Sequence, residues 1–223
     1  MVGGVRLAYR VAGAVDAPPM VLLHGLGSDS STWDEVIAAL ADSHRIYAPD
    51  LRGQGDSDRP GTYSFELMRD DILGFLDALD LTQVTLVGHS MGGTIALLFA
   101  EKYPDRLVRL IIEDSPPPFV GADPIPVPSW PDSPVPYDWP LAEAIIRQLN
   151  NPDPAWWDQT GTISVPTLII AGGPDSHVPQ DKVHEVAARI PESTLVTIRA
   201  GHQVHRNRPG AFIASVQEFL SIR

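Results

Sequence analysis

Residues 84–92 read Val84-Thr85-Leu86-Val87-Gly88-His89-Ser90-Met91-Gly92, and this stretch decides how the chain folds. Its apolar beginning is typical of a buried strand, and a helical pattern begins near Met91. A glycine–any–serine–any–glycine sequence at such a junction predicts a tight turn with a strained backbone at Ser90. Gly88 and Gly92 fit that turn because a Cβ atom at either position would clash with the adjoining strand or helix. We therefore expect a serine hydroxyl held above a sheet.

The motif has limited weight by itself. With glycine at about 7% of residues, a few per cent of chains of this length contain it by chance. An ordinary glycine-rich turn between a strand and a helix has the same sequence. The meaning of Ser90 therefore depends on which other reactive groups the chain brings to the same place.

The composition indicates a single globular domain over residues 1–223, with 43% hydrophobic residues. A net charge of −12 argues against binding to nucleic acid, and no apolar run approaches the roughly 20 residues that span a bilayer. The chain has no cysteine, which excludes disulfides, thiolate metal ligands and a cysteine nucleophile. The N-terminus has no apolar signal region, so a soluble cytoplasmic protein is expected.

Strand-like and helix-like segments alternate, which predicts an α/β fold with a mostly parallel sheet of about seven strands and helices on both faces. The strands are predicted at residues 7–11, 20–23, 45–48, 84–87, 107–112, 167–171 and 194–198. The helices are predicted at residues 32–41, 64–79, 91–103, 180–190 and 210–220. Ligands of such sheets bind beyond the carboxyl ends of the strands, where Ser90 lies.

Residues 116–160 interrupt this alternation. The stretch between Ser115 and Gly161 holds 12 of the 22 prolines and four of the five tryptophans, and only residues 141–150 have a helical pattern. A surface loop is one interpretation, but four indoles are unusual in a solvated loop. We therefore predict a short apolar cap, or lid, over the site.

A serine nucleophile needs a base, and the predicted base is His202, which follows the last strand. Gly201 fits the tight exit from that strand, and the loop should open on the same sheet edge as Ser90. His205, three residues away, is the main rival. His89 is expected to be structural, because consecutive side chains at a turn diverge.

The acid that orients this base is predicted to be Asp175, in the turn Gly172-Gly173-Pro174-Asp175 after a strand. The alternatives are Glu113 and Asp114, which end the preceding strand. An aspartate that merely caps the next helix would explain Asp175 equally well.

An oxyanion needs two backbone N–H donors, which are predicted at Met91 and Leu26. Met91 begins a helix, so its N–H has no partner within that helix. Leu26 lies in the loop His24-Gly25-Leu26-Gly27 after a strand, where the two glycines permit a sharp turn.

With these motifs in order, the chain resembles the α/β-hydrolase superfamily. The matching segments are His24–Gly27, Asp50–Ser57, Gly88–Gly93, Gly172–Pro179 and Gly201-His202. The resemblance implies a hydrolase without metal or cofactor, and serine at the turn argues against the branches that use aspartate there. The segment Asp50–Ser57 is expected to brace the oxyanion loop, residues 24–27. Two departures are expected: a cap nearly devoid of helix and a missing first, antiparallel strand.

The function expected from these residues is hydrolysis of a small apolar carboxylic ester or lactone through an acyl-enzyme. The substrate is predicted to contact Gly25, Trp33, Trp130, Trp139, Trp156 and Val178, although Trp33 could equally be a core residue of its helix. Other chemistry on the same triad is left open, namely C–C hydrolysis, perhydrolysis, or a lyase or cyclisation step. A binding protein without catalytic activity is a further alternative, as is a homo-oligomer that completes the cap.

Overall fold

In a computed structural model, which describes residues 4–127 and 129–221, the chain forms a seven-stranded sheet. The strands follow the order β1-β3-β2-β4-β5-β6-β7 across the sheet, and β2 to β7 are parallel. This confirms the predicted α/β fold. The strands are β1 (Tyr9–Ala12), β2 (Pro19–Leu23), β3 (Arg45–Pro49), β4 (Val84–His89), β5 (Leu107–Glu113), β6 (Thr167–Ala171) and β7 (Ser193–Thr197).

The first strand runs against the others. β1 pairs with β3 in antiparallel register, with Tyr9 opposite Pro49 and Ala12 opposite Ile46. β1 is the strand predicted at residues 7–11, and no named strand precedes it among the described residues. β1 lies at the edge of the sheet, and a two-residue hairpin does not join it to its partner, because β2 intervenes in the chain.

The helices agree closely with the predicted segments, with additions in the segment 116–160. Besides the predicted helix, this segment contains a helix at Pro154–Asp158 and the start of a 3-10 helix at Gln159–Thr162, so it is more helical than its proline content suggests. A short helix at Val204–Asn207 also follows β7. The helices are α1 (Asp34–Leu40), α2 (Phe65–Ala78), α3 (Met91–Lys102), α4 (Trp139–Asn150), α5 (Pro154–Asp158), α6 (Gln180–Arg189), α7 (Val204–Asn207) and α8 (Pro209–Ser221), with 3-10 turns at Ser30–Trp33, Pro104–Arg106 and Gln159–Thr162.

Hydrophobic residues fill both faces of the sheet, because successive side chains of a strand point to opposite sides. In β2, Val21 and Leu23 pack on one face, against a core built largely with α2, α3 and α6. Met20 and Leu22 pack on the other face, with α1 and α8. Every residue of β4 is buried, as expected for a central parallel strand.

Polar contacts fix α2 against the sheet edge that carries the site. The Ser64 hydroxyl caps α2 by accepting a hydrogen bond from the N–H of Leu67 at 3.1 Å. The buried guanidinium of Arg52, just beyond β3, forms an ion pair with Asp71 of α2. Among the described residues, no helix has the length and apolar character needed to cross a membrane.

Candidate active site

Ser90 sits in the tight turn between β4 and α3. Its backbone has φ 55° and ψ −122°, a conformation that costs a non-glycine residue on the order of 1–3 kcal/mol. The turn closes only around glycine: a Cβ on Gly88 would collide with the carbonyl of Gly92, and a Cβ on Gly92 with that of Leu23. The Ser115 hydroxyl donates to the Ser90 carbonyl at 2.8 Å. The sequence prediction for this turn thus agrees with its geometry.

The loop after β2 lies directly beside Ser90. A Cβ built on Gly25 would be 3.2 Å from the Cβ of Ser90, so a larger residue would require the neighbouring atoms to shift by a few tenths of an ångström. His24 is fully buried, and burial lowers its pKa. Its Nε2 accepts from the N–H of Leu51 at 3.0 Å, and its Nδ1 contacts the Gly25 carbonyl at 2.8 Å. A neutral imidazole with its proton on Nδ1 satisfies both bonds and fixes the loop.

The segment Asp50–Ser57 forms hydrogen bonds to the loop of residues 24–27 and to the residues that follow it. One oxygen of Asp50 accepts from the N–H of Ser30 at 2.8 Å, and the other from the N–H of Asp56 at 2.9 Å. The side chain of Gln54 accepts from the N–H of Gly27 at 2.5 Å. These contacts agree with a bracing role for the segment.

The acid paired with His202 is Asp114, and the prediction of Asp175 is wrong on geometry. His202 Nδ1 lies 2.9 Å from Asp114 Oδ2. Asp114 directly follows β5 and has φ 47°, which turns its side chain away from that of Glu113. Asp175 is exposed, in the turn that begins Gly172-Gly173. A Cβ on Gly201 would lie 3.3 Å from the Asp175 carbonyl, so Asp175 meets the His202 loop through its backbone.

Four donors hold the Asp114 carboxylate. Besides His202, they are the N–H of Gly172 at 2.8 Å, the Ser176 hydroxyl at 2.5 Å and the Gln180 amide at 2.9 Å. Burial opposes ionisation, but the hydrogen bonds, above all that of His202, outweigh it and lower the pKa of Asp114. The turn predicted to supply the acid thus supplies hydrogen-bond donors to it.

His202 is fixed at two points and stays accessible at a third. Its backbone carbonyl lies 2.9 Å from Nε2 of His89, and its side chain is 18% exposed. In the imidazole tautomer whose Nδ1–H donates to Asp114, the Nε2 atom of His202 is the ring's hydrogen-bond acceptor. The ring of His177 packs against it, with ring centres 4.3 Å apart.

The six residues predicted to contact substrate do not form one group. Gly25 lines the turn beside Ser90, and Val178 is partly buried between Ser176 and Gln180, two of the donors to Asp114. Trp33 is fully buried, 4.2 Å from the ring of His205, so its prediction as a pocket residue is wrong and it belongs to the core. Trp156 is likewise buried, in edge-to-face contact with Phe65.

The remaining two tryptophans lie on the segment 116–160. Trp139 stacks on Tyr137 with ring centres 6.1 Å apart, while Trp130 is 71% exposed. Tyr137 is the residue that sequence reasoning missed: a Cβ on Gly27 would lie 3.5 Å from its ring. No local pattern marks Tyr137, because its position depends on an isolated bridge to Gln54.

Hydrogen bonds join the segment 116–160 to the chain between β3 and the start of α2. The N–H of Asp138 donates to the Gly53 carbonyl at 2.7 Å, and its carboxylate accepts from the Tyr63 hydroxyl at 2.5 Å. The Gln148 side chain bonds to the N–H of Phe65 at 2.8 Å. A cavity of about 460 Å³ is not lined by Ser90 or His202; its lining residues are Gly27, Ser28, Asp29, Ser31, Thr32, Asp34, Glu35, His205 and Arg206.

Comparison with known proteins places this geometry in a wider group. Residues 18–134 match a family model described as the alpha/beta hydrolase fold. An uncharacterized protein of Mycobacterium tuberculosis is 43% identical over 112 residues, which is 50% of this chain and 32% of that protein. This chain therefore spans about a third of the length of that relative.

Two further comparisons concern proteins with a named reaction. A 2-hydroxymuconate semialdehyde hydrolase of a Pseudomonas strain is 38% identical over 117 residues, covering 50% of this chain and 41% of that protein. The crystal structure of an enol-lactonase from Burkholderia xenovorans superposes with a TM-score of 0.84 at 26% identity. That superposition covers 99% of this chain and 98% of the lactonase.

Proposed function

Since the chain belongs to the α/β-hydrolase family, we propose that it is a serine hydrolase of carboxylic esters or lactones, with Ser90, His202 and Asp114 as its triad. The observation that carries the proposal is the 2.9 Å hydrogen bond between His202 and Asp114, at the sheet edge where the strained turn presents Ser90. A hydroxyl is barely nucleophilic at neutral pH, and a base with a fixed tautomer supplies the missing activation.

In the acylation step, the Ser90 Oγ attacks the carbonyl carbon while its proton moves to Nε2 of His202. The new C–O bond converts the carbonyl oxygen to an oxyanion, which the N–H groups of Leu26 and Met91 stabilise. The ionised Asp114 stabilises the imidazolium without taking its proton. Collapse of the intermediate breaks the bond to the leaving alkoxide, which receives the proton from His202.

Deacylation repeats these steps with water. His202 takes a proton from the water that attacks the acyl carbon, and the second oxyanion forms in the same place. Breaking the ester bond returns the proton to the Ser90 oxygen and releases the carboxylic acid. For a lactone, the alcohol and acid are parts of one molecule, so both leave together after deacylation.

We assign residues 116–160 to a reduced cap, with Tyr137 and Trp139 facing the substrate rather than Trp33 or Trp156. Three contacts support this: the Gln54–Tyr137 bridge, the Asp138–Tyr63 bond and the approach of Tyr137 to Gly27. A lactone would suit such a cap, because its ring is compact and its two reacting groups occupy little volume.

C–C bond hydrolysis on the same triad is the second candidate. The match to the 2-hydroxymuconate semialdehyde hydrolase includes half of this chain at 38% identity and favours it specifically. The two candidates differ in their products. Mass spectrometry after incubation with p-nitrophenyl acetate, an enol-lactone and a vinylogous 1,5-diketone distinguishes cleavage at C–O from cleavage at C–C.

The deciding experiment is labelling with a fluorophosphonate, followed by ester turnover by Ser90→Ala. The native protein should be labelled at Ser90, and Ser90→Ala should lose both labelling and turnover, whereas the exposed Ser164→Ala variant should keep both. Turnover that persists in a folded Ser90→Ala variant contradicts the triad. A protein that binds a lactone tightly, resists labelling and releases no product would be a binding protein instead.

A further inference from the structure

A second carboxylate–imidazole pair lies beneath the proposed triad. The two acids at the end of β5 point in opposite directions: Asp114 pairs with His202, and Glu113 pairs with His205. Glu113 is fully buried and accepts from both the backbone N–H and the Nδ1 of His205, at 2.9 Å and 2.7 Å. The proposed mechanism assigns no role to this pair.

The Glu113 carboxylate is ionised where it stands. Burial opposes its ionisation, but the hydrogen bonds from the backbone and ring of His205 help to hold its pKa below the ordinary value. A buried charge with this many donors is costly to disturb, since loss of one partner leaves it uncompensated. The pair therefore fixes the backbone of residue 205 rigidly against β5.

His205 also contacts the 3-10 helix Ser30–Trp33, which follows the loop of residues 24–27. Its Nε2 lies 2.7 Å from the hydroxyl of Thr32, in the 3-10 helix that follows the oxyanion loop. Its ring packs on Trp33 at 4.2 Å and on Phe212 at 6.1 Å. The chain Glu113–His205–Thr32 thus joins the end of β5, the loop that carries the base and the loop that carries an oxyanion donor.

His89 completes the support. Burial lowers its pKa to about 4, so the ring is neutral and its Nε2–H donates to the His202 carbonyl at 2.9 Å. His202 is consequently held at its ring by Asp114 and at its carbonyl by His89. Three residues further on, the chain is held by Glu113.

We propose that His205 is a positioning residue, which sets His202 relative to the oxyanion donors through its bonds to Glu113 and Thr32. This inference rests on the proposed hydrolase function. A metal site is the competing interpretation, because His89, Glu113 and His205 offer ligand atoms within 4.8 Å of one another. Both ring nitrogens of His205 and Nε2 of His89 already have protein partners, which favours the hydrogen-bonded network.

The test compares Thr32→Val, Thr32→Ser and His205→Gln, with the exposed His184→Gln as the matched control. Displacement of a base by about 1 Å can cost up to 100-fold in rate, so His205→Gln should lower kcat about 10- to 100-fold while KM stays within about twofold. Thr32→Val should lower kcat, Thr32→Ser should restore it, and His184→Gln should match the native protein.

Two additions keep the test decisive. The double variant Glu113→Gln/His205→Gln removes the buried charge with its partner, so it replaces His205→Gln if that variant unfolds. The Nδ1–H proton resonance of His202 reports its bond to Asp114 without any turnover, and it should shift or broaden in His205→Gln. If the native protein hydrolyses nothing, the hydrolase proposal fails, while this resonance still tests the positioning.

Three results would overturn the inference. The first is a native kcat in folded His205→Gln and Thr32→Val variants. The second is an unchanged His202 resonance in the same variants. The third is loss of activity on treatment of the native protein with a chelator and recovery with Zn²⁺, which would identify the three buried residues as a metal site.

Discussion

Replacement of Asp114 by Asn is the sharpest test of which carboxylate serves the base. The carboxylate accepts from four donors, including His202 Nδ1 at 2.9 Å and Gln180 at 2.9 Å. An amide has one acceptor oxygen and presents N–H groups to these donors, so it turns the imidazole toward the wrong tautomer. In a serine protease, the equivalent change costs about 10⁴ in kcat. We expect a loss of about 10³- to 10⁴-fold, or roughly 4–5.5 kcal/mol in activation free energy.

The assay is the hydrolysis of p-nitrophenyl acetate, with kcat and KM determined separately and the fold checked by thermal unfolding. Asp175→Asn is the matched control: the carboxylate is exposed, so kcat should stay within about twofold of the native value. The reasoning is refuted if Asp175→Asn loses activity while a folded Asp114→Asn keeps it.

Three further variants test the fold around the site. Gly92→Ala should abolish folding or activity, because its Cβ would collide with the Leu23 carbonyl, whereas Gly210→Ala, with open space at its Cβ, should leave the melting temperature unchanged or slightly higher. Tyr63→Phe should cost about 1–3 kcal/mol of unfolding free energy, measured by urea titration, since it leaves a carboxylate oxygen of Asp138 unpaired. Burial raises the pKa of Glu101 from 4.5 to about 8. Between these values the folded state keeps a proton that the unfolded state has lost, so native stability should fall as pH rises through this window. Thermal melts of Glu101→Gln should show a smaller fall, and an equal fall would contradict the assignment.

Much of the fold follows from local sequence. The Ser64 cap, the mostly apolar and fully buried β4 and the glycines around Ser90 each act on their own neighbours, so short windows of sequence reveal them. The orientation of β1 is different, because it depends on pairing with β3 more than thirty residues away. A strand pattern gives no direction, and so the antiparallel edge was not predictable.

The site residues fall into the same two groups: those that local sequence identifies, and those whose role depends on contacts made only in the folded chain. Ser90 and His202 follow strands with glycine beside them, and sequence identifies both positions. The choice among Glu113, Asp114 and Asp175 depends on a left-handed backbone at Asp114 and on donors from residues 172–180, which only the folded chain brings together. Trp33 was ambiguous because an indole suits a pocket and a core equally, and its neighbours in space are distant in sequence.

The pairing of β5 has a consequence for how this protein could change by insertion or deletion. β5 is locked on both sides, with Glu113 opposite His89 of β4 and Ile170 of β6. A shift of one residue along this ladder would move Glu113 into the place of Asp114 and Ile112 into the place of Glu113, because each residue would take its neighbour's position and face. A glutamate would then stand before the imidazole of His202, and no acid would stand before that of His205. The register of residues 107–113 therefore decides which carboxylate faces which histidine.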